Sequence, residues 1–193
     1  MNVKQIALIP AWVALFASGV AVADETQPNT PESADSNGPA VGLVEAVLDS
    51  ATKYKVIQNA IEDGYVLASG CVSGENGGVM GVHYARLDLL GDGAVDATTP
   101  ELLVYEPTRW GSMRLVAAEY LVFKEAWENL NGAGTPVVLD GQQLMLETAP
   151  NRYGLPDHYE LHVWAFKHNS SGMFAPWNPK VTCEYYQPPE DAG

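Results

Sequence analysis

The residues between His158 and His162 have the types and the spacing of a metal site on a β-strand. They read His158-Tyr159-Glu160-Leu161-His162. Because alternate side chains of a strand point to opposite faces, His158, Glu160 and His162 are expected to share one face, and the apolar residues between them the other. Imidazole and carboxylate groups are ligands of divalent transition metals. This face therefore predicts a metal site.

A third histidine is a candidate ligand of the same site. His83 lies in a segment, Val79 to Leu89, that alternates as a strand and follows several glycines, which allow a backbone or a ligand to approach closely. If this strand neighbours the one that carries His158 and His162, His83 would meet them. The predicted ligands are then His83, His158, Glu160 and His162, and Zn²⁺ or Cu²⁺ is the expected ion. The alternative is a hydrogen-bonded polar network around Glu160.

Aromatic residues near these histidines favour a ligand pocket beside the metal. The set comprises Tyr84, Trp164, Phe166, Phe174 and Trp177. Aromatic rings line concave apolar pockets and stack on sugars. The alternative is that they form the hydrophobic core beneath a long loop.

Apolar periodicity predicts the elements that must position these side chains. A helical period runs from Val41 to Glu62 and ends at Asp63-Gly64, and a short second helix is predicted over Lys124–Leu130. Extended segments are predicted at Tyr65–Leu67, Val79–Leu89, Glu101–Tyr105, Arg114–Phe123, Gln143–Glu147, Tyr159–Lys167 and Val181–Tyr185. No βαβ repeat is apparent. The predicted fold class is α+β: a single domain with an N-terminal helix, a mainly antiparallel sheet and one short additional helix.

The N-terminus has the pattern of an export signal. Lys4 precedes an apolar run from Ile6 to Val22, and the small residues Ala21 and Ala23 flank Val22 at its end. We therefore expect residues 1–23 to be a cleaved signal peptide and the mature protein to be periplasmic or secreted.

The rest of the chain divides by composition. Residues 24–42 are rich in Pro, Ser, Thr and acidic residues and are expected to form a disordered acidic linker. Residues 43–187 are long enough for one globular domain with its own core, and residues 188–193 form a tail.

The charge of the chain excludes some partners. The formal net charge is −14, and loss of Lys4 with the signal makes it one unit more negative. Such a charge repels nucleic acids and anionic membrane surfaces, which are bound through clusters of Lys and Arg. The expected partner is a small molecule or a polymer, and self-association into an oligomer is a further option.

Cys71 and Cys183 are the only cysteines. In an exported chain, an even number of cysteines predicts a disulfide. This bridge would fasten the C-terminal tail to the start of the sheet. The alternatives are a thiolate nucleophile and a soft metal ligand, but no nearby motif supplies the partner that would activate either thiol.

The C-terminal part of the chain carries a distinctive run of motifs. Residues 158–164 read HYELHVW, residues 172–174 read GMF, and residues 177–179 read WNP, before Cys183. This run resembles the pattern HYxLHVW…GxFxxWNPxVxC of a group of uncharacterised secreted bacterial proteins. Earlier stretches, such as GVHY at residues 81–84, are similar to other motifs of that group, so the resemblance covers most of residues 44–184. Ser170 stands where the group usually has Pro. The resemblance implies no activity.

Three classes of function follow from these residues. The first is an exported soluble binding protein whose ligand lies on the His, Glu and aromatic face. The second is a metal-dependent secreted enzyme, hydrolytic or oxidative, that keeps an open coordination position on the same face. The third is a structural or assembly protein with an aromatic interface. Because the sequence shows no complete catalytic constellation, the binding protein is the favoured hypothesis, and enzymatic activity is left open.

Overall fold

The computed structural model describes residues 39–74 and 77–189, which belong to one compact unit. The predicted signal peptide lies outside the described residues, as do most of the predicted linker and part of the tail. The first helix begins at Pro39, a few residues inside the range predicted as linker. In the described part of the chain, no helix has the length and hydropathy needed to span a membrane.

The N-terminal helical segment is interrupted, where the sequence predicted one helix. Helix α1 spans Pro39–Ala51, a 3-10 turn spans Thr52–Lys55, and helix α2 spans Ile57–Glu62. The interruption falls at Val56, whose backbone is extended. Asn59 donates a side-chain hydrogen bond to the Lys53 carbonyl, which compensates for part of the lost helical bonding.

The strands form a six-stranded antiparallel sheet and a small two-stranded one, which confirms the predicted α+β fold class. The strands are β1 Val66–Gly74, β2 Gly78–Ala85, β3 Leu102–Pro107, β4 Met113–Phe123, β5 Val138–Leu139, β6 Gln142–Gln143, β7 Met145–Glu147 and β8 His158–Val163. The main sheet has the order β1-β2-β3-β4-β8-β7, and β5 pairs with β6. The remaining helices are α3 Leu87–Leu90 and α4 Lys124–Asn131.

Three of the predicted strands differ from the structure. Strand β2 stops at Ala85, which pairs with the first residue of β3, and the chain then turns into α3. Strand β8 stops at Val163, after which the Trp164 amide donates to the Met173 carbonyl. Residues 181–185, predicted as a strand, form turns and loop. In that segment, the Thr182 amide donates to a buried Glu106 carboxylate instead of joining a strand.

One face of the main sheet carries the larger part of the hydrophobic core. Side chains such as Val82, Tyr120 and Leu161 on this face pack with Leu43 and Val47 of helix α1. Buried tyrosines of this core keep their hydroxyl groups satisfied by donating to backbone carbonyls, as Tyr120 does to Ala97.

The opposite face of the sheet carries the candidate site between two smaller apolar clusters. One cluster contains Val104, Ala117, Trp164 and Val181, and the other contains Ala85, Leu102 and Leu121, with Leu155 packed against it. The chain segments that follow β7 and β8 therefore cover this face.

The C-terminal segment is fastened to strands β1 and β2. A disulfide joins Cys71 of β1 to Cys183, which confirms that prediction. Val79 of β2 and Asn178 exchange backbone hydrogen bonds. Gly78 permits this close approach, because a Cβ atom there would lie 2.6 Å from the Asn178 backbone.

Candidate metal site

His83, Glu119 and His162 bring three ligand atoms together on the covered face of the sheet. Glu119 Oε2 lies 3.3 Å from His83 Nε2 and 3.6 Å from His162 Nε2. All three ligand atoms lie within 4.8 Å of one another, and the three side chains are buried. We call these residues the His-Glu-His group. Two imidazoles and one carboxylate are a ligand set of divalent transition metals.

Strand register explains how Glu119 meets His162. The two residues are directly opposite each other in the antiparallel pair of β4 and β8. Opposite residues of such a pair have Cβ atoms about 5 Å apart. Their side chains therefore point to the same face, and the carboxylate and the imidazole need little displacement to meet.

His83 reaches the group from a strand that is not adjacent to β8. The sequence-based hypothesis required β2 to neighbour the strand of His162, but β3 and β4 lie between them. Three inter-strand steps in a flat sheet would separate the two backbones by about 14 Å. The two imidazole rings nevertheless have centroids 6.1 Å apart. The sheet curls toward this face, and both side chains lean over the strands between them.

Ser69 fixes the orientation of His83. The two residues are partners in the β1–β2 pair, and Ser69 Oγ lies 2.9 Å from His83 Nδ1. The Ser69 hydroxyl donates to the Gly70 carbonyl, so its oxygen is left to accept a hydrogen bond from Nδ1–H. His83 Nε2 is then unprotonated, and its lone pair points toward Glu119. Histidine ligands of metals are commonly oriented in this way, by a hydrogen bond from the other ring nitrogen.

Two atoms of the group are buried without a hydrogen-bond partner. They are Glu119 Oε2 and His162 Nε2, and His158 Nε2 is a third such atom nearby in the sheet. A buried polar group without a partner costs about 1–3 kcal/mol. Such atoms therefore require an explanation, and an ion bound between them is one.

Burial governs the protonation of the group. It lowers the pKa of His83 to about 3, and the nearby His162 acts in the same direction. It lowers the pKa of His162 to about 4, although Glu160 opposes the shift. Burial and the neighbouring carboxylates of Glu160 and Glu101 raise the pKa of Glu119 well above its usual value. Both imidazoles are therefore neutral at pH 7, as metal ligands must be.

His158 and Glu160 share the site face with His162, as the alternation predicted, and lie outside the His-Glu-His group. His158 Nε2 is 3.5 Å from Glu160 Oε2, and both side chains are buried. Burial lowers the pKa of His158, but the interaction with Glu160 and the hydrogen bond to the Pro156 carbonyl, with the nearby carboxylates, together outweigh it and the net shift is upward. Of the four predicted ligands, the structure thus brings His83 and His162 together with Glu119, and makes a separate pair of His158 and Glu160.

A small cavity separates the pair from the group. Its volume is about 50 Å³. Its polar lining comes from His83 and Glu119 on one side and from His158 and Glu160 on the other. The remaining wall is formed by Ser69, Met80, Leu102, Leu121, Tyr153 and Leu155.

The predicted aromatic pocket residues are distributed over the molecule, and none of the five lines this cavity. Trp164 is buried and stacks on His162, with ring centroids 5.9 Å apart. Tyr84 follows His83 in the strand, so it points to the other face and contacts Tyr105.

The other three aromatic residues are also engaged elsewhere. Phe166 and Phe174 pack against the main hydrophobic core. Trp177 lies against Gly74 and Gly77 at the end of the first hairpin, where Arg152 covers its ring.

Glu119 is the ligand that sequence reasoning missed. It is the single charged residue between Leu115 and Phe123, a stretch that is otherwise apolar except for Tyr120. A carboxylate in the middle of a strand with two buried faces is rarely placed there without a partner. That signal was present in the sequence, but it did not identify which histidines Glu119 would meet.

Comparisons with known proteins assign neither a family nor a function, since no protein-family model, curated protein or solved structure matches this chain.

Proposed function

We propose that this is an exported protein that binds one divalent transition-metal ion through His83, Glu119 and His162. The observation that carries the proposal is the pair of buried, unpartnered atoms, Glu119 Oε2 and His162 Nε2, which face each other within reach of His83 Nε2. A bound ion would give all three atoms a partner at once.

The spacing of the ligand atoms supports an ion rather than a hydrogen-bonded network. In tetrahedral coordination with bonds of about 2.0–2.1 Å, ligand atoms lie about 3.4 Å apart. Two of the three separations, 3.3 and 3.6 Å on either side of Glu119 Oε2, match this value, and the two imidazole nitrogens lie within 4.8 Å of each other. Direct hydrogen bonds between such groups are shorter, near 2.7–2.9 Å.

The ligand types narrow the choice of ion. Imidazole and carboxylate suit Zn²⁺ and Cu²⁺, and intrinsic affinity for such sites is highest for Cu²⁺. Two histidines and one carboxylate with open positions also bind Fe²⁺. Hard ions such as Ca²⁺ and Mg²⁺ prefer sites made wholly of oxygen ligands and are disfavoured here.

A metal titration of the purified full chain without a His-tag tests the proposal. We expect one Co²⁺, used as a spectroscopic substitute, or one Zn²⁺ to bind per chain. His162→Gln should weaken the affinity at least a hundredfold. His168→Gln is the matched control, because His168 is the one histidine of the chain that is exposed. Its affinity should equal that of the wild type.

Two outcomes would refute the proposal. One is the absence of any Zn²⁺, Cu²⁺ or Co²⁺ binding tighter than millimolar. The other is equal binding by the His162→Gln and His168→Gln variants. Either result would leave a buried polar network in place of a metal site.

The enzyme hypothesis is favoured by one observation. Three protein ligands leave a coordination position free, which is the arrangement of catalytic rather than structural zinc sites. That position adjoins a cavity, since His83 and Glu119 line it. Exchange of bound water at the metal, measured by relaxation of a paramagnetic ion in the site, separates an open site from a closed one.

A further inference from the structure

A groove at the end of the hairpin of β3 and β4 has a basic lining in an acidic protein. Lys55 and Arg114 line it, and none of the described residues that line it is acidic. The whole chain has 24 acidic and 10 basic residues. By contrast, Glu125 and Asp157 line both grooves beside α4. We call the groove at the hairpin the basic groove.

The floor of the basic groove is apolar and firmly held. Leu115 belongs to the main hydrophobic core, and Met113 and Phe166 pack against that core. The backbone also holds Phe166, whose amide donates to the Val116 carbonyl. Because these side chains belong to the main core, the groove lies on the side of the sheet that is opposite the His-Glu-His group.

Trp110 forms an exposed aromatic wall of the basic groove. It is 71% exposed, which is unusual for a tryptophan. A closed turn positions it, since the Thr108 amide donates to the Ser112 carbonyl and the Gly111 amide to the Thr108 carbonyl. The Arg109 guanidinium lies over the indole, 4.1 Å from the ring centroid. This cation covers one face of the ring, and the rest of the indole is accessible for stacking.

The two cations of the basic groove keep their charge available for a ligand. Lys55 Nζ lies 5.2 Å from the centroid of the Phe166 ring and makes no ion pair with the described residues. The Arg114 side chain is 57% exposed and 3.8 Å from Glu106. Glu106 is already engaged, because Lys167 Nζ lies 2.7 Å from both of its oxygens. Together, Glu106, Lys167 and Arg114 therefore carry a net charge of +1.

Two hydroxyl groups add hydrogen-bonding capacity to the basic groove. Thr108 Oγ1 and Ser112 Oγ lie 2.7 Å apart, and both residues line the groove. One hydroxyl donates to the other, so the hydrogen of the accepting hydroxyl remains available to a ligand. The groove thus combines a flat aromatic surface, two cations and a hydroxyl donor.

We propose that the basic groove binds an acidic sugar, a uronate unit of an oligosaccharide or polysaccharide. The apolar face of the sugar ring stacks on Trp110, and the sugar carboxylate pairs with Lys55 and Arg114. The hydroxyl pair bonds the hydroxyls of the sugar. An acidic peptide would use the two cations, but its Asp and Glu side chains have no flat apolar face for the indole. This site is separate from the proposed metal site.

The net negative charge of the protein is compatible with this ligand. At physiological ionic strength the Debye length is about 8 Å, so exposed carboxylates farther than this from the groove are largely screened. The groups that line the groove therefore dominate the interaction with a short anionic ligand. For this reason the suitable probe is an oligosaccharide, tetragalacturonate.

The experiment is a calorimetric titration of the full chain with tetragalacturonate at physiological ionic strength. The wild type should show saturable binding. Two control ligands should each bind at least tenfold more weakly. Maltotetraose has the same number of sugar rings and no carboxylate, and tetraglutamate has carboxylates and no sugar ring.

Substitutions in the groove test where the sugar binds. Trp110→Ala and Arg114→Gln should each weaken the affinity for tetragalacturonate by about tenfold or more, and Trp110→Phe, which keeps a ring, should retain most of it. Because both side chains are exposed, these variants should fold as the wild type does. Lys180→Gln removes an exposed cation outside the groove and is the matched control. Its affinity should equal that of the wild type.

Three outcomes would overturn the inference. One is the absence of tetragalacturonate binding by the wild type. Equal affinities for tetraglutamate and tetragalacturonate would show that the groove selects charge alone, and would favour an acidic peptide. Equal affinities of Trp110→Ala and Lys180→Gln would show that the sugar does not bind in the groove. None of these outcomes bears on metal binding, because the His-Glu-His group does not line the groove.

Discussion

Glu119 lies directly opposite His162 across strands β4 and β8, and its Oε2 atom is 3.6 Å from His162 Nε2. This places a carboxylate and an imidazole, both buried, in the centre of a sheet whose two faces are covered. Their closeness follows from backbone pairing, so it does not depend on a flexible loop. The arrangement makes Glu119 the residue on which the proposed site depends most directly.

Replacement of Glu119 by Gln should abolish tight metal binding. The amide keeps the shape of the side chain but removes the negative charge, so we expect affinity for Zn²⁺ to fall at least a hundredfold. Thermal unfolding of the metal-free variant should occur at or above the wild-type temperature, because the amide fills the same volume and carries no charge to bury. Glu125→Gln, an exposed carboxylate on α4, is the control and should bind Zn²⁺ normally. Retained tight binding by Glu119→Gln would contradict the ligand assignment.

Metal binding should release a proton from Glu119 at any pH where that carboxyl is protonated in the metal-free protein. The pKa of Glu119 is raised by burial and that of each histidine in the group is lowered, to about 3 and about 4. As the pH rises, the carboxyl is therefore the last of the three groups to lose its proton, and the imidazoles are already neutral at pH 7. Affinity should rise with pH by about tenfold per unit until Glu119 ionises in the metal-free protein.

Calorimetry of Zn²⁺ binding in buffers of different ionisation enthalpy measures that proton release. The release should approach one proton per ion on the acid side of the Glu119 titration and fall to zero above it. The ordinary imidazole pKa near 6.5 would instead predict a loss of affinity governed by the histidines as the pH falls through that value. Release that follows a two-proton titration centred near 6.5 would show that the histidines and not Glu119 titrate.

Removal of the Ser69 hydroxyl should weaken metal binding through His83. Ser69→Ala leaves Nδ1 without its acceptor, so the His83 ring loses its fixed orientation and its preferred tautomer. Loss of such a hydrogen bond typically reduces metal affinity about 10–100-fold. Ser73→Ala is a matched control on the same strand, because Ser73 accepts a hydrogen bond from Arg152 through its backbone carbonyl, which the substitution keeps. Equal affinities in the two variants would show that Ser69 does not orient the ligand.

Loss of the disulfide should destabilise the whole domain. The bridge of Cys71 and Cys183 closes a separation of 112 residues and holds the C-terminal segment against β1. Removal of a native disulfide from a small exported domain typically costs about 2–5 kcal/mol. We expect the Cys71→Ser/Cys183→Ser double variant to show that decrease in the free energy of unfolding, measured with urea. A mass unchanged on reduction of the native protein, with both thiols free, would contradict the bridge.

The local pattern of the sequence was sufficient for part of the site. Alternation over residues 158–162 placed the two histidines and Glu160 on one face, because the period of a strand depends only on the chain itself. The same rule places Tyr84 on the face opposite His83, so the sequence already argued against one member of the aromatic pocket. The fold class and the disulfide were predictable for similar reasons: they depend on periodicity and on the count of cysteines.

The composition of the ligand group was decided by tertiary structure. The register between β4 and β8 sets Glu119 opposite His162, and a shift of one residue would have turned Glu119 to the other face. The curl of the sheet brings His83 to them across β3 and β4. Register and curl depend on contacts between residues far apart in the chain, so no local pattern near His158 could identify Glu119 as the third ligand.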